Sequence, residues 1–439
     1  MKRQKQIAIQ FTVFILLLTV LWVLLVLSAR IPNTAIQKNM LQSALSYKEQ
    51  EAFSFENGNK WNAICDNYAD AILLNISWYM GKGSPLTASL DTRYYDGETL
   101  GENAGLYLAV NEEELQPNTD YSRYWHGSAM FVRFMHLFTD VEGMKRWGFV
   151  GMLALALVTV GMLVRHRHGE LAVALLLSMA AVQIWNIRLS LEYQPAFILG
   201  FWFCILYLWL ERKSDFCLTV LSVAGGVSIA FFDFLTTETV VLLLPLILVV
   251  SVRASEDRLG ELRDNIRLLA KCGSCWLLTY AGTFLIKWTA ASLVTGSNKF
   301  ILAFFSAGER MTGSLLGEGS DHPLLRIPQA VAANLTVMFG GQNRIEWGRV
   351  FGGLLITGLI LGSLLYLFYQ KSNPTAVKLL GILGSVVILR YMILSNHSYF
   401  HEFFTYRALI SPIMAVLAGA VLSMQISFPV RRKGRNFSL

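Results

Sequence analysis

The sequence predicts an all-α polytopic membrane protein with about ten transmembrane helices, and three observations predict it. The 439-residue chain is 54% apolar and only 15% charged, where a soluble domain carries roughly a quarter charged residues. Its apolar residues are bunched into long runs instead of alternating. The first run, "IAIQFTVFILLLTVLWVLLVLSA" from Ile7 to Ala29, is long enough to cross about 30 Å of hydrocarbon as a helix.

That first run follows Lys2, Arg3 and Lys5, as a secretory leader would. It exceeds the apolar core of such leaders, roughly 7–15 residues, and no small-x-small site follows it clearly. Residues 1–29 are therefore expected to be a retained first span. Further runs fall near 147–164, 171–187, 195–210, 217–234, 239–252, 272–293, 350–369, 378–394 and 408–425. Spans two to seven occupy 147–294, and spans eight to ten, with a basic tail, occupy 350–439. Between them lie two long connections, 30–146 and 295–349.

A cytoplasmic N-terminus places "MKRQK", "RHRHGE", "ERKSD", "RASEDRLGELRDNIRLLAK", "YQKSNPTAVK" and "RRKGR" inside. All are short and rich in Lys or Arg. The outer loops near Arg188–Gln194 and Asp233–Thr239 hold one cation between them. The positive-inside rule supports this orientation, with both termini cytoplasmic. It also accounts for the net charge of +7, so no nucleic-acid partner is expected. Cys272 and Cys275 form a CxxC without a second pair, at the start of a membrane helix, which does not read as a zinc or redox site.

The unusual polar clusters then fall on the outer side. In the first outer loop, "AIQKNMLQSALSYKEQ" sets Ile36, Met40, Leu41, Ala44 and Leu45 on one helical face. That pattern suits an interfacial amphipathic helix, or equally a helix packed on its own loop. "WNAICDNYADAILLNISWY" keeps Trp61, Ile64, Tyr68, Ile72 and Ile76 at helical spacing, with Asp66 and Asp70 on the opposite face. Two carboxylates turned to a cleft can act as base and orienting partner, or as base and metal ligand; turned to water they are a solvated face. "DTRYYDGETLGENAGLYLAV" reads as a loop or short hairpin. The region Arg30–Arg146 has fifteen acidic and ten basic residues, unlike a surface that holds anionic lipid non-specifically.

"YSRYWHGSAMFVRFMHLF" returns to the membrane with Arg123, Tyr124, Trp125 and His126 at the interface, then Arg133 and His136. Aromatic anchoring explains the rings, while adjacent Arg and His suit a phosphate and the rings suit a sugar face. Asp233 and Glu238 stand at the turn between spans five and six, as ligand contacts or beside a helix cap from Thr236 or Thr237. The loop after span seven reads as a partly ordered lid, with Arg344 as a substrate contact. Finally, "SNHSYFHEFFTYR" places His397 and His401 four apart, with Arg407 at the mouth of the last span. A metal would need a third ligand from elsewhere, and His, Tyr and Arg together suit a phosphate or pyrophosphate leaving group.

"DNYADAILLN", "YSRYWHG", "FFDFLTTET" and "NHSYFHEFFTYR" look like blocks of a bacterial, chiefly Gram-positive, membrane-protein family, a likeness that brings no activity with it. Over most of the chain the architecture resembles the glycosyltransferase-C superfamily. That resemblance implies an extracytoplasmic glycosyltransferase taking sugar from a polyprenyl-phosphate donor to a cell-envelope glycan or lipid acceptor. It implies Asp66 or Asp70 as general base, and His397, His401 and Arg407 as holders of the departing phosphate. A divalent cation (Mg or Mn) is a possible cofactor, although the acids here are four apart where the superfamily often shows adjacent acids or DxD.

Three other classes compete. A lipid-linked glycan flippase or transporter would carry mid-span charge and a pseudo-repeat; Lys287 and Arg390 are the only such charges noted, both near outer ends. A polymer ligase or acyltransferase would use a histidine base such as His126 or His397. An assembly subunit without chemistry would not need its polar clusters on one side.

Overall fold

The computed structural model describes residues 2–56, 58, 60–112, 114–313, 323–340 and 373–423, which form a helical bundle capped at one end by the chain between its first two long helices. Helix α1 (Lys2–Ala29) leads into the cap, built from α2 (Asn33–Tyr47), α3 (Asn67–Tyr79), α4 (Pro85–Leu90), α5 (Gly101–Asn111) and α6 (Ala129–Met135). Two antiparallel ribbons brace it: Phe53–Phe55 pairs with Ile64–Asp66, and Arg93–Tyr94 with Thr119–Asp120. The bundle follows as α7 (Val141–Arg165), α8 (Gly169–Ala181), α9 (Gln194–Leu210), α10 (Asp215–Phe232), α11 (Val240–Ser255) and α12 (Leu262–Thr295). Next come α13 (Lys299–Thr312), α14 (Pro323–Val337), α15 (Pro374–Ile393), α16 (Ser395–Phe400), α17 (Glu402–Thr405) and α18 (Ile410–Ser423).

Among the described residues six stretches are helices long and apolar enough to cross a membrane: Arg3–Ala29, Val141–Arg165, Asp215–Phe232, Leu262–Thr295, Pro374–Ile393 and Glu402–Ser423. The protein is a helical membrane protein. Helices α8, α9 and α11 are apolar but shorter. Nine of the ten expected runs fall on these nine stretches, and the run near 350–369 lies outside the described residues. Helix α11 is apolar all round because protein surrounds it: Val240 to Val252 is buried throughout, the pattern of a core helix. By contrast α1 turns Phe11 and Leu16 outward.

The cap departs from the sequence reading in two places and decides two alternatives that the sequence left open. The helix expected from Trp61 to Tyr79 is a 3-10 turn (Trp61–Ala63), a strand (Ile64–Asp66) and then α3. Asp66 stops the strand and starts the helix, because its carboxylate accepts the Ala69 N–H at 2.9 Å as an N-cap does. Neither acid lies on a solvated face: α3 is wedged among α2, α5 and α6, and Asp66 and Asp70 are both buried. The tract read as a loop or hairpin contains α5, whose Leu106, Ala109 and Val110 are buried; Gly97 and Gly105 had masked it, and they serve close backbone approach between the turn and the helix. Helix α2 packs on α5 and α3, burying Ile36, Met40 and Ala44 with Tyr47 while Leu45 stays 52% exposed, so its apolar face is covered by its own loop. In the connection after α12, read as a partly ordered lid, the described residues hold α13 and α14; Arg344 lies outside the described residues.

Arg133 ties cap to bundle. Its guanidinium donates to the carbonyls of Ser28 (3.0 Å), Ser77 (2.5 Å) and Ile31 and to Asn33 Oδ1 (3.1 Å), closing the exposed carbonyls at the end of α1. Lys287, flagged as a mid-span charge, does similar work: its ammonium donates to Ser89 and Leu90 carbonyls at 3.0 and 2.9 Å.

Candidate functional site

Asp70 is held from every side. It accepts hydrogen bonds from Tyr47 Oη (2.8 Å), Ser190 Oγ (2.7 Å) and the Leu191 N–H (2.8 Å), and Lys145 Nζ lies 3.2 Å away. A carboxylate so bonded is fixed in place. It joins α3 to α2, α7 and the Ser190–Glu192 turn.

Asp66 is different. Its carboxyl is buried, bonded to the Ala69 N–H and to the carboxyl of Glu192, and among the described residues no cation pairs with either acid. Burial raises the proton affinity of both; Asp66 raises that of Glu192 further, while the bonds from the Ala69 N–H and from Glu192 oppose the rise at Asp66. Glu192 also feels Asp233 and leaves Oε2 without a partner. Asp233 is pushed up to about 7 by burial and by Glu238, against the opposing pull of its bonds from Thr236. It caps its turn by accepting from the Thr236 N–H (2.8 Å) and hydroxyl.

Tyr193 joins this acid pair to the last helices. Its hydroxyl donates to the Ile64 carbonyl at 3.1 Å, its ring carries the Arg407 guanidinium at 4.4 Å, and the acids and that guanidinium act on it electrostatically. Arg407 is buried and bonds the Phe403 and Asn62 carbonyls at 3.1 and 3.2 Å. It is a structural strut beside the acids rather than an open cation at the mouth of a helix.

The turn Asp233–Thr239 bridges the two halves of the site. Leu235 adopts φ +74°, which a branched residue holds only under constraint, and its carbonyl accepts from His397 Nε2 (2.9 Å) and Arg390 Nη2 (2.9 Å). Arg390 also pairs with Glu238 at 3.0 Å, so Glu238 is committed to an ion pair. Phe234, on the same turn, packs on Tyr124 and His126 at 5.7 and 5.0 Å. The rings of His397 and His401 lie 4.6 Å apart. Burial, then His401, Arg390 and Arg310, hold His397 neutral well below its ordinary range.

Of the cluster 123–126, Arg123 and Tyr124 reach the site. The Tyr124 ring is flanked by Arg310 at 5.3 Å and Arg123 at 5.6 Å; Arg123 stacks on Tyr121 at 4.1 Å and leaves Nε unpartnered. No carboxylate pairs with either arginine among the described residues. Burial pushes His126 down to about 3, and its Nε2 meets the Tyr121 carbonyl at 2.9 Å, so it is a neutral brace with φ +53°. Trp125 faces away, 1% exposed, with Nε1 donating to the Thr283 carbonyl at 2.8 Å; it is core packing.

The structure thus gathers Asp66, Asp233, Tyr124 and Arg123 with His397 and Arg407 at one end of the bundle, and keeps Asp70, Trp125, His126 and Glu238 as supports. Among the described residues no group of three or more His, Cys, Asp or Glu side chains is arranged to hold a metal ion. Among the described residues the donors present do not fit a divalent cation. Sequence reasoning missed Glu192 and Arg310. Glu192 is an acid inside a short loop between two apolar runs, the kind of residue that membrane depth makes costly. Arg310 ends α13, whose apolar face, including Ile301, Phe304 and Phe305, is exposed. Comparison with protein-family models, with curated proteins and with solved structures finds no match in any of the three.

Proposed function

We propose that the protein is an extracytoplasmic glycosyltransferase that moves a sugar from a polyprenyl-phosphate donor to a cell-envelope glycan or lipid acceptor. The observation that carries this reading is the Asp66–Glu192 pair, two buried carboxyls of raised proton affinity; Tyr124, which feels the Glu192 carboxyl, is flanked by Arg123 and Arg310, which no described carboxylate neutralises. Acid–base work on a hydroxyl needs a carboxyl with raised proton affinity, and a phosphate leaving group needs fixed cations.

In this mechanism the ionised Asp66 accepts the proton of an acceptor hydroxyl as its oxygen bonds to the anomeric carbon. The anomeric C–O bond to phosphate breaks, and its electron pair leaves on the phosphate, which Arg123 and Arg310 stabilise. Glu192 sets the proton affinity of Asp66, and the Asp70–Lys145 pair fixes the helix that presents it.

A proton-coupled carrier of a lipid-linked glycan is the second reading, favoured by the additional protonatable acid at Asp233. Protein in lipid vesicles, offered a panel of polyprenyl-phosphate sugars with and without a glycan acceptor, separates them. Covalent transfer of labelled sugar supports the enzyme. Movement of intact donor across the bilayer without transfer supports the carrier and refutes the enzyme.

A further inference from the structure

A groove of about 370 Å³ opens between cap and bundle, where α6, the first turns of α7 and α9 and the last turn of α10 come together. Its rim carries Phe131 on α6 and Trp147 on α7, which are 54% and 65% exposed. Ile198 and Leu199 line it from α9 and are half-buried. The floor is Leu73, Leu191 and Phe232, all buried.

Among the described residues the lining holds no charged side chain. Its hydroxyl and amide groups are already engaged within the protein. Ser128 Oγ donates to the Phe232 carbonyl at 3.0 Å, and Gln194 Nε2 donates to the Lys145 carbonyl at 3.0 Å. The wall therefore recognises a ligand by apolar contact. Its floor is fixed beforehand, because Asp70 accepts the Leu191 N–H at 2.8 Å and the Phe131 and Phe232 rings pack at 5.6 Å. Met135 and Met144, also in the lining, adapt to a chain of no fixed shape.

The occupant follows from where the groove opens. Helices α7 and α10 are long and apolar enough to cross a membrane. Phe134, three residues on from Phe131 and so on the same side of α6, is exposed as well, and an apolar rim of this kind faces hydrocarbon. A bilayer offers acyl chains there in excess over any other apolar ligand. The size suits one chain: a methylene takes about as much room as a water, roughly 30 Å³. The groove thus has space for on the order of twelve methylenes, most of one acyl chain and a minor part of a long isoprenoid. We propose that this groove holds one acyl chain of a bilayer phospholipid, bound as a wedge between cap and bundle. The chain packs on Leu191, beside Glu192, and on α6, the helix that bears Arg133.

The test is native mass spectrometry of the full chain released from detergent and titrated with palmitoyl-oleoyl phosphatidylglycerol. It needs no sugar donor and no turnover, so its outcome is independent of the transferase reading. One lipid is expected to bind about tenfold or more tighter than those that follow. Leu199→Trp, which fills the groove, and Phe131→Ala, which removes a wall, are expected to abolish that gap. Leu157→Trp, at an exposed position of α7 about 15 Å along the helix from Trp147, is expected to keep it. Phe131 is exposed, so its variant folds even where Leu199→Trp does not. First and later lipids binding alike overturns the proposal, as does a gap that survives either groove variant in folded form or is lost equally in Leu157→Trp. Displacement of the bound phospholipid by an equimolar amount of undecaprenyl phosphate also overturns it.

Discussion

Asp66 and Glu192 meet carboxyl to carboxyl in a buried pocket, while Asp70, one helical turn from Asp66, is fully ion-paired and hydrogen-bonded. Burial raises the proton affinity of both carboxyls in the folded chain alone, and Asp66 adds to the rise at Glu192. The folded protein therefore binds more protons than the unfolded one between the ordinary carboxylate range, about 4, and the raised folded value. Stability from this source is complete below that window and is lost as pH rises through it. Asp66→Asn is expected to raise the apparent Tm at pH 8, by the equivalent of about 1–2 kcal/mol, and to change it little at pH 4. Thermal melts across that range in detergent check this; a variant equally destabilised at both ends contradicts it.

The same shift has a catalytic consequence. If Asp66 must be ionised to take a proton, the rate of sugar transfer rises with pH across the neutral range. Glu192→Ala removes the carboxyl whose hydrogen bond holds the proton affinity of Asp66 down, so the rising limb moves to higher pH. Initial rates against pH for the two proteins check the direction of that movement.

Asp70 is expected to matter through stability. Asp70→Asn leaves the buried Lys145 ammonium with only the exposed Glu142 carboxylate, 3.4 Å away, as counter-charge, a change that costs up to about 3–5 kcal/mol, and Tyr47→Phe, which removes one hydrogen bond to Asp70, costs about 1–2 kcal/mol. Both are read as loss of Tm, with transfer per folded molecule retained in Tyr47→Phe.

Gly81 sits against the Arg133 staple. A Cβ there would intrude on Asn33 Oδ1 and on the guanidinium, approaching its Nη1 at 2.8 Å. Gly81→Ala is expected to displace Arg133 and to destabilise the cap by about 1–3 kcal/mol. Limited proteolysis of residues 30–140 checks it, because a loosened cap is cut where the native one resists.

The sequence revealed the bundle because long apolar runs report burial in lipid or protein directly. It could not distinguish Asp66 from Asp70, since what separates them is distant in the chain: Ser190 and Leu191 lie 120 and 121 residues beyond Asp70. The glycines around α5 read as turn signals although they serve backbone contact between a turn and a helix. Arg407 looked like an open cation because nothing local shows that Asn62 and Tyr193 close over it. Arg310 went unread because its place beside Tyr124 depends on how α13 folds back over the bundle.

The most direct measurement is the rate of labelled-sugar transfer from a polyprenyl-phosphate sugar by protein in lipid, comparing native, Asp66→Asn and Tyr47→Phe chains at pH 8 with folded fractions matched. The account predicts transfer by the native chain, a loss of about 100-fold or more in Asp66→Asn, and nearly native rates in Tyr47→Phe. Undiminished transfer by a folded Asp66→Asn chain would contradict it.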